Sequence, residues 1–404
     1  MKNELKILLV ENIHSIAQEK LIEEGFLVDR VSHAPSEAEL LQLLPKYDAV
    51  GIRSKTEITE KVINANPHLF SIGCFCIGTN QVNLKAAKKM GVPVFNAPHS
   101  NTRSVAELVL AEMIALSRQL CDRSQKAHSG DWVKSAEGSK EVRGKTLGIV
   151  GYGHIGSQLS ILAESLGLNV IFYDVVKKLS LGNARATRNL EELLSFADFV
   201  SLHVPETPQT QNMITAKELA LMKKGSFLIN ASRGTVVDIS ALAGSLKSGH
   251  LAGAAVDVFP VEPSSNKEKF VSELQGIANV ILTPHVGGST EEAQYAIGIE
   301  VAESFRKYLK IGTTQGAVNF PNVDLPIGVG PKASRILNVH RNEPGVLGEI
   351  NGIISKAGAN IQAQYLSTDE KIGYLVMDLE TASVQSLEHE VQQLSRSIRT
   401  RVLF

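Results

Sequence analysis

Three short stretches of the chain, each following an apolar segment, carry residues suited to proton transfer and to binding a carboxylate. They are residues 230–234 (NASRG), 257–263 (DVFPVEP) and 283–288 (TPHVGG). His285 has a side chain that accepts a proton near neutral pH, and Glu262 on its other ring nitrogen would fix the tautomer. Arg233 would hold a substrate carboxylate through two parallel hydrogen bonds. Each residue alone is explained as well by a surface or structural role, but together they supply the parts of a 2-hydroxy acid oxidation.

A glycine-rich turn provides the cofactor site that such an oxidation needs. The run Gly151-Tyr152-Gly153-His154-Ile155-Gly156 follows the apolar residues 147–150 and opens a helical pattern. In this arrangement the first glycine permits a tight turn, the second lets the backbone approach a pyrophosphate, and the third allows close helix–strand packing. Asp174, 18 residues after Gly156, would accept hydrogen bonds from a ribose diol and repel a 2′-phosphate. The sequence therefore predicts a dinucleotide site and favours NAD over NADP.

The elements that would position these residues alternate between strand and helix. In the first 98 residues, strands are predicted at 7–10, 49–52 and 92–95, and helices at 17–24, 37–44 and 84–90. Six more strands are predicted at 146–150, 169–173, 199–202, 226–230, 254–258 and 280–282. Because such alternation places helices on both faces of a parallel sheet, we expect two doubly wound α/β domains, Rossmann-like or flavodoxin-like.

The composition changes after the second alternating region. Residues 313–331 are rich in Gly, Pro, Asn and Val and have no period, which is typical of a linker. Strands are then predicted at 336–340, 360–366, 373–379 and 398–403, with helices at 346–356 and 383–394. That order, βαββαβ, predicts a carboxyl-terminal ferredoxin-like domain.

The overall composition excludes several classes of protein. The 404 residues contain 41 Lys and Arg against 42 Asp and Glu, so neither a nucleic-acid nor a membrane partner is expected. The three cysteines have no disulfide or zinc spacing, which predicts reduced thiols in a cytoplasmic protein and no metal site. Residues 118–143 are polar and predict a loop or an arm, in which Trp132 would anchor a subunit contact or a small local cluster.

Residues 144–290 resemble the D-isomer-specific 2-hydroxyacid dehydrogenases. The resemblance rests on the glycine-rich turn and on residues 198–213, 222–238 (MKKGSFLINASRGTVVD) and 283–288. Residues 52–56 (IRSKT), 73–81 (GCFCIGTNQ), 95–107 (FNAPHSNTRSVAE) and 338–347 (NVHRNEPGVL) are similar to members that act on 3-phospho-D-glycerate and end in an ACT regulatory domain. The resemblance covers nearly the whole chain. It implies NAD-dependent oxidation of 3-phospho-D-glycerate to 3-phosphohydroxypyruvate, the first step of L-serine biosynthesis.

The resemblance also implies roles for individual residues. Arg233, Glu262 and His285 match the family's catalytic residues. Its NAD contacts are matched by Gly151, Gly153, His154, Ile155, Gly156, Asp174, Ala231, Ser232, Arg233, Asp257, His285, Val286, Gly287 and Gly288. Its substrate contacts are matched by Arg53, Ser54, Lys55, Asn101 and Gln294, with Lys55 in place of a common Arg. His340, Asn342 and Asn360 match residues that bind L-serine as an inhibitor, although His340 and Asn342 would also serve as helix caps.

Two alternatives remain open at this point. The first is another D-2-hydroxyacid dehydrogenase, acting on 2-oxoglutarate, hydroxypyruvate or glyoxylate; the second is a non-catalytic NAD-sensing protein. The expected organisation is a substrate domain of residues 1–98 and 287–316, an inserted NAD domain of 99–286, a linker of 317–333 and an ACT domain of 334–404. The resemblance implies a homotetramer, and His99 receives no role.

Overall fold

The computed structural model describes residues 4–263, 267–326, 333–380 and 384–403. These residues form two compact units, one containing Met1–Ser100 and Gln294–Phe404 and the other containing Asn101–Ala293. The predicted α/β class is confirmed, with two parallel sheets and one antiparallel sheet. The units begin and end close to the predicted domain boundaries, but the carboxyl-terminal domain is part of the first unit.

The amino-terminal part of the first unit is a five-stranded parallel sheet in the order β2-β1-β3-β4-β5. Its strands are β1 Lys6–Val10, β2 Leu27–Val31, β3 Ala49–Ile52, β4 Ser71–Cys74 and β5 Val94–Phe95. Its helices are α1 Ser15–Glu23, α2 Glu37–Leu43, α3 Glu60–Ala65 and α4 Leu84–Lys89. Every residue of β3 and β4 is buried, because helices cover both faces of a parallel sheet.

The second unit contains a seven-stranded parallel sheet in the order β12-β11-β10-β9-β6-β7-β8. Its strands are β6 Thr146–Val150, β7 Asn169–Tyr173, β8 Arg185–Ala186, β9 Phe199–Leu202, β10 Phe227–Asn230, β11 Gly253–Val256 and β12 Val280–Leu282. Its helices are α5 Thr102–Arg118, α6 Leu120–His128, α7 His154–Ser165, α8 Leu190–Phe196, α9 Ala216–Leu221 and α10 Ile239–Lys247. Because the strands are parallel, the turns after β6, β10, β11 and β12 meet at one edge of the sheet.

The carboxyl-terminal part of the first unit is an antiparallel sheet in the order β14-β15-β13-β16. It follows α11 Glu291–Ile311, whose residues from Gln294 onward belong to this unit. Its strands are β13 Ala333–Arg341, β14 Asn360–Thr368, β15 Ile372–Glu380 and β16 Ser397–Val402, and its helices are α12 Val346–Lys356 and α13 Val384–Gln392. The predicted βαββαβ order is therefore confirmed. Ser383, the predicted first residue of the last helix, lies outside the described residues.

Both faces of this antiparallel sheet are buried within the first unit. Leu337, Val339 and Tyr374 share a core with Phe305 and Tyr308 of α11, and the Tyr374 hydroxyl donates to the carbonyl of Gly312 at 2.5 Å. On the other face, Leu375 and Met377 pack with apolar residues of α12 and α13. The carboxyl-terminal domain is thus joined to the amino-terminal sheet and to α11 through an apolar core rather than through a chain connection alone.

Several predicted elements require correction. Residues 118–143 do not form only a loop, because α6 occupies Leu120–His128, and none of the residues of this helix is buried. The predicted linker 317–333 is not free over its first part, since the Asn319 side chain bonds the backbone of Val92 and Val94. Residues 327–332 of that linker lie outside the described residues. The strands β2, β4 and β8 were not predicted, and β2 is half-exposed and polar in part.

Candidate active site

The glycine-rich turn has the close approaches that its glycines were predicted to permit. Gly151 has φ +92°, and a Cβ there would lie 2.3 Å from the carbonyl oxygen of His203. A Cβ on Gly156 would lie 2.3 Å from the carbonyl oxygen of Gly151, so the helix and the strand end are in contact. Gly153 occupies the N-cap position of α7 and faces open space. The first amides of α7 are therefore accessible to a pyrophosphate, which the helix dipole also favours.

Asp174 follows β7 beside this turn and is fixed by backbone bonds. Its carboxylate accepts from the amide of Tyr152 at 2.9 Å and from the amide of Val176 at 2.9 Å. Each oxygen has a further lone pair for a ribose hydroxyl. The turn, the open helix end and the oriented carboxylate fit an NAD molecule, whose nicotinamide would supply the hydride acceptor.

His285 and Glu262 form the predicted histidine–carboxylate pair. The Nδ1 atom of His285 lies 2.9 Å from Oε2 of Glu262, and the amide of Phe259 donates to Oε1 of Glu262 at 3.0 Å. The His285 side chain is 52% exposed, so Nε2 is open to a ligand while Nδ1 is engaged. A proton on Nδ1 shared with the carboxylate leaves Nε2 as the acceptor, which is the tautomer that base catalysis requires.

The same pair shifts the pKa of both partners. The hydrogen bond that His285 donates to Glu262 raises the pKa of His285 above its ordinary value, against the effect of burial. Burial raises the pKa of Glu262, but hydrogen bonds from His285 and the Phe259 amide outweigh it and lower that pKa below 4.5. Glu262 is therefore a carboxylate at neutral pH, and His285 is a base of increased strength.

Asp257 positions the segment that carries His285. Its carboxylate accepts from the Thr283 hydroxyl at 2.6 Å and from the amides of Val286 and Gly287 at 2.8 Å each. The amide of His285 donates to the Asp257 carbonyl at 2.8 Å, and His285 itself has φ +55°. Since a left-handed residue other than glycine is uncommon, these bonds maintain a strained backbone that presents the imidazole.

Arg233 lies in a turn that Asn230 closes. The Asn230 side chain accepts from the amide and hydroxyl of Ser232 and donates to the carbonyl of Arg233 at 3.0 Å. A Cβ on Gly234 would lie 2.0 Å from the carbonyl carbon of Phe259, so this turn packs against the one that carries Glu262. Sequence reasoning did not assign Asn230 and Thr283 any role; polar residues at strand ends are the signal that marks them.

The predicted substrate residues are distributed over both units. Arg53, Ser54, Lys55 and Gln294 belong to the first unit, and Asn101 belongs to the second. Asn101 is buried beside Gly288, and its Oδ1 atom has no hydrogen-bond partner among the described residues. A buried acceptor without a partner is costly, which fits a ligand-binding role for this side chain.

The predicted effector residues do not all meet within one copy of the chain. His340 pairs with Gly373, and the Asn342 side chain donates to the Asp369 carbonyl at 2.6 Å, so both lie at one end of the sheet. Asn360 pairs with Glu380, which pairs in turn with Ala333 at the other end of β13. Burial lowers the pKa of His340, whose Nδ1 lies 2.9 Å from Oδ1 of Asn338.

Three broad features complete the description of the molecule. Among the described residues there is no helix with the length and apolar character needed to cross a bilayer. Within the same residues there is no group of three or more His, Cys, Asp or Glu side chains arranged to hold a metal ion. The three cysteines are free thiols.

The raised pKa of His285 predicts a specific pH dependence. Oxidation needs the neutral imidazole, so kcat/KM should rise with pH through a pKa above 6.5 and level off beyond it. Glu262→Gln removes the carboxylate that raises this pKa, so the rise should move to lower pH. The measurement is a pH profile of NADH formation for both proteins. A profile that Glu262→Gln leaves in place would contradict the assignment.

Comparisons with known proteins identify the family of the chain. Residues 110–287 match the family model of the D-isomer specific 2-hydroxyacid dehydrogenase NAD binding domain, and residues 336–400 match the AHAS small subunit-like ACT domain. D-3-phosphoglycerate dehydrogenase of Haemophilus influenzae is 54% identical over 100% of this chain and 98% of its own length. The enzyme of the same name from Dictyostelium discoideum is 50% identical over the same shares.

A solved structure extends the likeness to three dimensions. D-lactate dehydrogenase from Aquifex aeolicus, in complex with NAD and lactic acid, superposes with a TM-score of 0.69 at 28% identity. The match covers 78% of this chain and 100% of that one. The NAD-binding domain and the ACT domain predicted from the sequence are thus confirmed. The chain belongs to the D-3-phosphoglycerate dehydrogenases, NAD-dependent enzymes of the D-isomer-specific 2-hydroxyacid dehydrogenase family.

Proposed function

We propose that the chain oxidises 3-phospho-D-glycerate to 3-phosphohydroxypyruvate with NAD, the first step of L-serine biosynthesis, in the cytoplasm. The observation that carries the proposal is the 2.9 Å contact between His285 and Glu262 at the edge of the sheet where the glycine-rich turn lies. Together with the relatives at 50–54% identity, this pair supports a dehydrogenase rather than a protein that only binds NAD. A sensor would need the cofactor site but not a base with an oriented carboxylate.

Each residue of the site has a defined task in this reaction. His285 accepts the proton of the substrate hydroxyl at Nε2, while Glu262 stabilises the imidazolium that results. Arg233 holds the substrate carboxylate and polarises the carbonyl oxygen that develops at the neighbouring carbon. NAD would supply the acceptor for the hydride that leaves that carbon. Asn101 is proposed to contact the substrate, as the resemblance implies.

The phosphate of the substrate needs cations, and residues 53–55 provide two. Among the described residues, the side chains of Arg53 and Lys55 take part in no ion pair or hydrogen bond, and Lys55 is exposed. Cations without internal partners are available to an external dianion. We propose that Arg53, Ser54 and Lys55 bind the phosphate and that Gln294 contributes to the same substrate.

A panel of substrates followed by NADH absorbance tests the proposed reaction. The panel compares 3-phosphoglycerate with glycerate, lactate and 2-hydroxyglutarate at equal concentrations. The highest kcat/KM with 3-phosphoglycerate is the expected result. If 2-hydroxyglutarate or an unphosphorylated acid gives the highest kcat/KM, the proposed substrate is wrong and the chain acts as a related dehydrogenase. Binding of NADH without turnover of any acid would indicate the NAD-sensing protein.

Asp174→Ala should weaken NAD binding and relax the discrimination against NADP. The carboxylate accepts from the ribose diol and repels a 2′-phosphate, so its loss removes both effects. The measurement is kcat/KM with each cofactor, and the ratio of NAD to NADP should fall by about 10-fold or more, the value of one charge-assisted hydrogen bond. An unchanged ratio would mean that Asp174 does not contact the ribose.

We propose that L-serine inhibits the enzyme at His340, Asn342 and Asn360. Because Asn360 lies at the far end of the sheet from the other two, one serine molecule that touches all three requires two copies of the chain. This geometry supports an oligomer, and we propose the homotetramer that the resemblance implies. Deletion of the ACT domain is a poor test, because its sheet is part of the core of the first unit.

Asn342→Ala is the better test of serine inhibition. The residue is exposed, so the change should leave activity without serine intact while raising the serine concentration for half inhibition by roughly 10-fold. Inhibition curves at millimolar serine measure it, with the exposed Lys371→Ala as a control in the neighbouring turn. An unmodified enzyme that is indifferent to millimolar serine would refute this regulation.

A further inference from the structure

The loop that carries Arg53, Ser54 and Lys55 is held by one carboxylate from a different strand end. Glu11 accepts from the amide of Arg53 at 3.1 Å and from the amide of Thr56 at 2.7 Å, both through Oε1. Its Oε2 accepts from the amide of Lys55 at 3.0 Å. Glu11 is 8% exposed, so these bonds form away from water. Hydrogen bonds to a charged acceptor are about twice as strong as neutral ones.

The sheet explains how Glu11 reaches this loop. It follows β1, which is the direct neighbour of β3, and the loop follows β3. Glu11 and Asn12 have φ +63° and +51°, and the amide of Glu11 donates to the carbonyl of His33. Two successive left-handed residues other than glycine are strained, and the surrounding contacts must offset that strain. The strained turn places the carboxylate under the loop.

The loop is also held by Gln81, a residue that follows β4. The side-chain amide of Gln81 donates to the carbonyl of Arg53 at 2.8 Å, and the backbone of Gln81 accepts from the amide of Ile58. Gln81 therefore fixes the carbonyl of Arg53, which lies between the amides of Arg53 and Lys55 that Glu11 binds. Because Glu11 and Gln81 both bond its backbone, the loop has little freedom to change the spacing of its two cations.

The choice of hydrogen-bond partners by the Glu11 carboxylate has a consequence for substrate binding. The carboxylate binds backbone amides of residues 53, 55 and 56 and not the cationic side chains of Arg53 and Lys55. Those side chains are thus left for an anion, while their backbone positions are set. A phosphate dianion binds more tightly to two cations whose spacing is fixed. Ordering two long side chains costs entropy, and prior positioning reduces that cost.

We propose that Glu11 is a positioning residue that sets the preference of the enzyme for the phosphorylated substrate. It acts through the backbone of residues 53–56 and does not touch the substrate. The proposal rests on the proposed function, in which Arg53 and Lys55 bind the phosphate. It predicts that loss of Glu11 raises the KM for the phosphorylated substrate far more than the KM for an analogue that lacks the phosphate.

The test compares reduction of 3-phosphohydroxypyruvate and of hydroxypyruvate by the full chain. Glu11→Gln keeps the size and shape of the side chain. It replaces one accepting oxygen with an NH2 group, which then faces a backbone N–H donor of the loop. The expected result is a KM for 3-phosphohydroxypyruvate raised about 10- to 100-fold, with smaller changes in kcat, in the KM for hydroxypyruvate and in NADH binding. Glu57→Gln removes an equal charge from an exposed position of the same loop and should leave the KM for both substrates unchanged.

The outcomes separate the inference from the function on which it rests. If the unmodified enzyme prefers 3-phosphohydroxypyruvate and Glu11→Gln keeps that preference, the inference is wrong and the function stands. If Glu11→Gln harms both substrates equally, Glu11 has only a structural role and the inference is again wrong. If the unmodified enzyme has no preference for the phosphorylated substrate, both fail. Gln81→Met, which releases the Arg53 carbonyl, provides a second variant should Glu11→Gln not fold, and it should lower the preference in the same direction.

Discussion

His285→Asn should lower kcat by roughly 10²- to 10⁴-fold, the usual contribution of general acid–base catalysis, while NADH binding is retained. Asparagine is the appropriate replacement because His285 has φ +55°. Asparagine tolerates the left-handed region better than alanine, so the backbone that carries Val286 and Gly287 should keep its course. The variant therefore removes the base without removing the strain-bearing turn.

The control for this experiment is the integrity of the turn itself. Asp257 bonds the amides of Val286 and Gly287 independently of the imidazole, so the cofactor contacts that the resemblance implies for this turn should survive. NADH fluorescence titration measures that survival, and single-turnover absorbance measures the chemical step. A variant that binds NADH and turns over at the original rate would show that another group accepts the proton. His285→Ala, in contrast, should lose NADH affinity as well, because alanine strains the turn.

The edge of the seven-stranded sheet where the glycine-rich turn, Glu262 and His285 lie was largely predictable from the sequence, because the patterns that indicate it are local. The spacing of Gly151, Gly153 and Gly156 predicts the turn that they form. A parallel sheet then brings the ends of β10, β11 and β12 to the same edge. The geometry adds what spacing does not contain: the left-handed backbone at His285 and the bonds from Asp257 that maintain it. These depend on contacts between residues about 30 positions apart.

The features that the sequence did not reveal depend on distant contacts. Glu11 bonds residues 53–56, more than 40 positions away, and a single acid after a strand gives no sign of this. The packing of the carboxyl-terminal sheet was missed although β15 carries a signal. Eight consecutive residues of β15 are buried, whereas a strand with one solvated face alternates. Its sequence, IGYLVMDL, is a nearly continuous apolar run, which is typical of burial on both faces.

One exception in that run, Asp378, forms an ion pair inside the first unit. The guanidinium of Arg335 on β13 donates to both carboxylate oxygens of Asp378, at 2.6 and 2.7 Å. Its remaining donors reach the carbonyls of Ile311, Leu325 and Pro326. The side chains are 0% and 2% exposed. All five guanidinium N–H groups therefore have acceptors, of which one is the carbonyl of the last residue of α11 and two come from the segment between α11 and β13.

Asp378→Asn should lower the free energy of unfolding by about 3–5 kcal/mol, because it leaves a buried guanidinium without its counter-charge. For a unit of roughly 200 residues this corresponds to a fall in Tm of roughly 6–20 °C. Differential scanning calorimetry is the suitable measurement, since the single Trp132 lies in the other unit and would not report on this one.

The pair Lys88 and Asp369 provides the matched control. It joins the same two parts of the first unit at 2.7 Å, but its side chains are 26% and 30% exposed. Lys88→Gln should therefore cost at most about 1 kcal/mol, since water solvates the carboxylate that remains. Equal losses from the two variants would mean that the buried pair is not specifically stabilising. A large loss from Asp378→Asn alone would show that the buried pair stabilises the fold of the first unit.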